Sequence, residues 1–197
     1  MNDTVVNKRF NARSICLMAM FLAFLVVGSW ITIDTGLLKF TLQILVIFLI
    51  GLFFNLKESM IIILTYVFLG LVGLPFFSNF GGGFAYAINP TFGFVYGFIP
   101  GLVVMYLFKH FLIEKVTSKK LKIVYQTLSC LSCLLIVYIF GFIHGYIILN
   151  LVNGKALGFG YLMSIFIVPY IPFDILKIVV AIVSYNSLGK YLYGGAN

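Results

Sequence analysis

Six apolar runs follow one another between residues 15 and 188, separated only by short connections that carry the charges, prolines or glycine clusters. An apolar helix of about 20 residues matches the ~30 Å hydrocarbon core of a bilayer, so repeated runs of this kind point to a chain that crosses a membrane several times. The runs cover 15–33, 41–54, 59–74, from just after Pro90 to 111, 123–149 and 159–188. The second is short unless tilted or extended by its flanks. Pro100 and Gly101 predict a kink in the fourth, which neighbouring helices in a bundle can accommodate. The segment "VPYIP" at 168–172 interrupts the sixth, so a short segment is expected before the helix proper. Only 9% of residues are charged and 62% are apolar, whereas soluble domains carry roughly a quarter charged residues. The expected fold is an all-α integral membrane protein, a bundle of about six transmembrane helices in one domain over 1–197, with a short N-terminal tail of about 1–13. No small-residue cleavage site follows the first run, which is therefore expected to be retained.

Orientation follows from the lysines and arginines between the runs. Lys8, Arg9, Arg13, Lys57, Lys109, Lys115, Lys119, Lys120, Lys122 and Lys190 fall on one side, and only Lys39 and Lys155 on the other. Both termini are therefore expected in the cytoplasm. The net charge of +8 is accounted for by this asymmetry and by anionic lipid, with no nucleic-acid partner required. Trp30 is expected at the outer interface, and Tyr191 and Tyr193 at the inner one, where amphipathic rings are favoured.

The stretch "GLPFFSNFGGGFAYAINPTFGF", residues 73–94, carries no charge and cannot be a straight helix. By the topology it lies outside, between the third and fourth helices. Non-helical backbone at membrane depth persists only where protein or a polar cavity covers it. The loop is thus expected to fold back over the bundle, with glycines letting its amides approach a guest. In the sixth run, Asp174 and Lys177 are the ionisable pair at i, i+3, on one helix face. A charge inside a membrane span marks a functional position by default, although an internal salt bridge locking the helix is the structural alternative. Pro172 suits the first helical turn, which places Asp174 where the helix dipole favours a carboxylate. Gln43, Asn79, Asn89, Thr91, Asp174 and Lys177 converge on the outer side. With Phe76, Phe77, Phe80, Phe84 and Tyr86 they describe a small-molecule pocket with apolar walls and few orienting polar groups.

The motifs "TLQ" (41–43), "GLVGLPFFSNFGGG" (70–83), "NPTFGFVYGF" (89–98) and "IPFDILKIVVA" (171–181) resemble, in order, those of the BioY family, the biotin-binding S component of energy-coupling-factor (ECF) transporters. The resemblance implies biotin as the transported ligand and no cofactor. It implies substrate-binding roles for Gln43, Asn79, Gly82, Tyr86, Asn89, Thr91, Asp174 and Lys177, with Tyr86 closing the mouth. It further implies a coupling membrane subunit and two ATP-binding subunits as partners. Ala19 and Ala23, a small-xxx-small pair in the first helix, resemble the surface by which S components dock on the coupling subunit. The family usually has glycine at the positions of Asn89, Phe92 and Phe173.

Other function classes are weaker. "NGKA" and "LGKY" lack the spacing and hydroxyl of a phosphate-binding loop, so the chain is not expected to be an ATPase. A secondary transporter using Asp174 as a coupling-ion site is the alternative, but the chain shows none of the paired repeats usual in such carriers. For an intramembrane enzyme, His110 and His144 fall on opposite sides of the bilayer, and neither reads as having a carboxylate nearby. Cys130 and Cys133, spaced C-x-x-C inside an apolar run, read as buried inert thiols.

Overall fold

The computed structural model describes residues 11–34 and 39–193. Helix α1 (Ala12–Trp30) leads into a small antiparallel ribbon, β1 (Thr32–Asp34) with β2 (Lys39–Thr41), in which Thr32 faces Thr41. The ribbon is confined to the α1–α2 connection, and the fold is otherwise helical, as expected. Then come α2 (Gln43–Phe53), α3 (Leu56–Val72), α4 (Phe92–Phe108), α5 (Lys119–Tyr146), α6 (Phe159–Phe166) and α7 (Ile171–Tyr193). Among the described residues, four helical stretches, Ala12–Trp30, Phe92–Ile113, Lys119–Val152 and Phe159–Gly189, are long and apolar enough to cross a membrane. The chain is a multi-pass membrane protein.

Helix α2 is apolar all round and accordingly central, with nine of its eleven residues buried. The helices around it turn apolar side chains outward, such as Phe68, Leu135, Val179 and Val183. In lipid such an exterior contributes little to helix association, which rests instead on close packing of small residues. Helices α4 and α5 show how. Gly93, Gly97 and Gly101 form a stripe along α4, and a Cβ at these positions would stand 2.5 Å from His144 Cβ, 3.1 Å from Phe140 Cβ and 2.8 Å from Cys133 Sγ on α5. Helix α4 carries Pro100 inside it, runs on to Phe108 and continues as a π-helical turn, Lys109–Ile113.

Helix ends are tied in two groups. At one end, Asn55 and Glu58 form a capping box on α3, and Ser14 donates to Glu58. There Lys109 Nζ donates to the carbonyls of Leu52, Phe53 and Phe54 at 3.1, 3.4 and 3.2 Å, capping α2 from α4. At the other end, Trp30 Nε1 donates to Pro75 O at 2.7 Å. Ser14 and Trp30 lie on one helix about 24 Å apart at 1.5 Å per residue, so these are opposite faces of the bundle. The tail cations Lys8 and Arg9, and the side chains of Lys39, Lys190, Tyr191 and Tyr193, lie outside the described residues.

Candidate ligand site

The 73–91 segment folds back over the Trp30 end of the bundle as expected, pinned from below. Phe76 O accepts from Tyr66 Oη at 2.8 Å and from Ser29 Oγ at 2.6 Å. Trp30 lies against Phe80, ring centroids 5.1 Å apart. Asn79 and Phe80 both adopt left-handed backbone (φ 60° and 57°), which asparagine tolerates better than most residues and phenylalanine poorly. The tight turn is closed by Phe77 N donating to Gly81 O at 2.9 Å. Two of the glycine amides expected to be free for a guest are engaged within the protein: Gly81 N donates to Ser78 O at 3.2 Å and Gly83 N to Gly70 O at 2.8 Å.

Beneath this loop is a cavity of about 260 Å³. Of the eight candidate binding residues, Gln43, Asn79, Tyr86, Asn89, Thr91, Asp174 and Lys177 line it. Gly82 does not: it packs on the Leu74 carbonyl, where any side chain would clash. Its glycine serves loop closure. Of the expected aromatic wall, Tyr86 lines the cavity and Phe76, Phe77, Phe80 and Phe84 do not. Phe77 is fully buried in the core, stacked on Tyr86 at 4.8 Å, while Phe80 and Phe84 are exposed. Phe94, Phe98, Tyr138 and Tyr170 take their place, with Val95, Leu134 and Val137. Helix α5 thus supplies a wall that no sequence motif announced. The available signal was Tyr138, a phenol in the middle of an apolar helix.

The cavity grades from charged floor to neutral mouth. Asp174 and Lys177 are buried, and Lys177 Nζ donates to Asp174 Oδ1 at 2.7 Å and to Thr41 O at 2.8 Å. Tyr138 Oη donates to Asp174 Oδ2 at 2.5 Å. The pair is therefore an internal salt bridge and a cavity feature at once, since both side chains line the space they close. Gln43, also buried, donates through Nε2 to Tyr66 Oη at 2.6 Å. Towards the surface stand Ser78, Asn79, Asn89 and Thr91, partly or fully exposed. Asn89 Oδ1 accepts from Thr91 N at 3.0 Å and Thr91 Oγ1 at 2.8 Å, a local turn that starts α4.

The histidines fall outside this arrangement. His144 Nε2 makes a hydrogen bond with Asn89 O at 3.1 Å and packs on Phe92 and Tyr96. His110 does have a carboxylate at hand, Glu114 one turn on at 3.6 Å, contrary to the sequence reading; both are largely exposed. Cys130 and Cys133 are buried and unpaired, and no cluster of metal-ligating side chains occurs among the described residues.

The BioY family model matches residues 2–193. The chain belongs to the BioY family. The biotin transporter BioY of Thermotoga maritima is 34% identical over 163 residues, covering 82% of this chain and 87% of that protein. A probable biotin transporter BioY of Lysinibacillus sphaericus is 37% identical over 118 residues, 55% of this chain and 60% of that one. The crystal structure of an S component for biotin from an ECF-type ABC transporter superposes with a TM-score of 0.74 at 22% identity, covering 90% of this chain and 91% of that one. The BioY fold seen here is thus shared over nearly the whole chain.

Proposed function

We propose that this BioY-family chain captures biotin from outside the cell as the substrate-specific subunit of an ECF-type transporter. A coupling membrane subunit and two ATP-binding subunits would supply the energy. The chain would act as one membrane domain with six spans: α1 to α5, with α2 and α3 crossing despite their length, and α6 with α7 as a broken sixth. The end bearing Arg13, Lys57, Lys109, Lys115, Lys119, Lys120 and Lys122 would face the cytoplasm, with both termini, and the cavity would open outward. Ala19 and Ala23, both on the exposed face of α1, would meet the coupling subunit.

The observation that carries the reading is the buried Asp174–Lys177 pair, held by Tyr138, at the floor of a 260 Å³ cavity with aromatic walls. Biotin has a fused bicyclic body for such walls, a ureido group that both donates and accepts, and one carboxylate. Gln43, Asn79, Asn89, Thr91 and Tyr86 add neutral polar contacts. Gly82, implied as a binding residue by resemblance, would act only by shaping the loop.

Titration calorimetry of the detergent-purified chain with biotin tests this. Sub-micromolar binding is expected, weakened at least tenfold, about 1.4 kcal/mol, by Asp174→Asn or Lys177→Ala. Removing one partner of a buried pair also destabilises a fold, so the double variant Asp174→Asn/Lys177→Met, which leaves no lone charge, is measured beside them. Affinity at the parent level in the double variant, with its melting temperature kept, rules out the site.

A further inference from the structure

The two halves of the loop over the cavity are held differently. Residues 75–83 are tied to two helices. Trp30 Nε1 and Ser29 Oγ on α1 donate to Pro75 O and Phe76 O, Tyr66 Oη on α3 donates to Phe76 O, and Gly83 N donates to Gly70 O on α3. Residues 84–91 bond instead within the loop and to the start of α4. Tyr86 N donates to Gly83 O, Asn89 N to Tyr86 O, Phe92 N to Asn89 O, and Thr91 N and Oγ1 to Asn89 Oδ1. Among the described residues, one hydrogen bond ties this half to a helix other than α4, that of His144 Nε2 on α5 with Asn89 O at 3.1 Å. Ring contacts of Tyr86 and Phe92 with Phe77 add packing to it. A carbonyl oxygen only accepts, so His144 carries a proton on Nε2. Its approach depends on Gly93, where a Cβ would stand 2.5 Å from His144 Cβ.

What this bond holds is part of the cavity rim. Tyr86, Asn89 and Thr91 line the space, and Asn89 Oδ1 joins Asn89 to Thr91, so the two shift as one. His144 does not line the cavity, but it sits on the helix that supplies the wall residues Leu134, Val137 and Tyr138. We infer that His144 is a positioning residue: its Nε2–H, given to Asn89 O, fastens the rim to the α5 wall and sets how fast a bound ligand leaves. The inference rests on the biotin reading above for the identity of that ligand. It adds a residue that acts on binding without touching what is bound.

Two measurements on the full chain in detergent need no ligand. In nitrogen NMR of 15N-histidine-labelled protein, with the largely exposed His110 changed to glutamine so that one ring remains, Nε2 of His144 is expected to be protonated. A bare Nε2 overturns the inference whatever any variant does. Hydrogen exchange at the amides of Asn89, Phe92 and Phe94 reports local opening of the rim. It is expected to rise about tenfold in His144→Leu and to return to the parent rate in His144→Gln, whose amide nitrogen reaches about as far as Nε2. Exchange unchanged in His144→Leu, left unrestored by His144→Gln, or raised equally along all of α5 overturns the inference. With biotin bound, dissociation is expected to be about tenfold faster in His144→Leu and near the parent rate in His144→Gln, with association little changed. Faster exchange without faster dissociation removes the role in release and leaves the biotin assignment standing. A parent chain that binds no biotin overturns that assignment and the role in release with it, and the exchange rates then decide the fastening of the rim alone.

Discussion

Asp174 takes a hydrogen bond from protein on each oxygen, Lys177 Nζ on one and Tyr138 Oη on the other, and its place in the first turn of α7 adds the helix dipole. Tyr138 thus fixes where the carboxylate points without being needed to neutralise it. Tyr138→Phe keeps the ring and removes only the donor. Its expected effect is a loss of about 1.5–3 kcal/mol in biotin affinity, the range for a hydrogen bond to a charged group, with the melting temperature little changed. Combined with Asp174→Asn the losses should fall short of additive, because residues in one hydrogen-bond network couple. Full additivity in calorimetry would mean that Tyr138 acts on the ligand independently. Asp174 and Lys177 were legible in the sequence as charges in an apolar helix. Tyr138 was not, because a tyrosine there costs little and stands out only once α5 is packed beside α7.

Among the elements, α4 shows how a wall is held in a membrane fold. The glycine stripe at 93, 97 and 101 brings α5 close, and residues between those glycines, Phe94, Val95 and Phe98, reach the cavity. Gly93→Ala would place a methyl group 2.5 Å from His144 Cβ and 2.9 Å from Gly141 Cα, backbone that cannot yield cheaply. The expected cost is about 1–3 kcal/mol of stability, as for overpacking in general, read as a lowered melting temperature in detergent. Biotin affinity should fall too, because the wall moves with the helix. An unchanged melting temperature would show that the α4–α5 contact is slack. Lys109 gives a second case. It caps three carbonyls of α2 from another helix, and Lys109→Met leaves them without their donor, costing about 1–3 kcal/mol. That change, far from the cavity, should lower thermal stability and leave the affinity of the folded fraction near the parent value.

For the whole molecule, the testable quantity is which end faces out. Seven described cations gather at the Ser14 end, and Lys155 follows the end of α5 that carries His144. In intact cells, with Cys16 replaced by serine because it is exposed, a cysteine at position 155 should react with a membrane-impermeant maleimide. One at position 120 should react only after permeabilisation. The opposite pattern would invert the topology and put the cavity on the cytoplasmic side.

The sequence alone determined the helices, their order, the break before Pro172 and the buried pair, because burying backbone and charge in hydrocarbon permits few solutions and leaves a pattern readable residue by residue. It also carried the family motifs in the 73–91 loop and α7. Tertiary structure alone decided which aromatics face the cavity, that Gly82 packs within the loop, and that Lys177 reaches the Thr41 carbonyl 136 positions away. Those outcomes depend on which helix faces meet, and helix faces in lipid are chosen by the fit of small residues and shared hydrogen bonds between distant segments rather than by hydrophobicity.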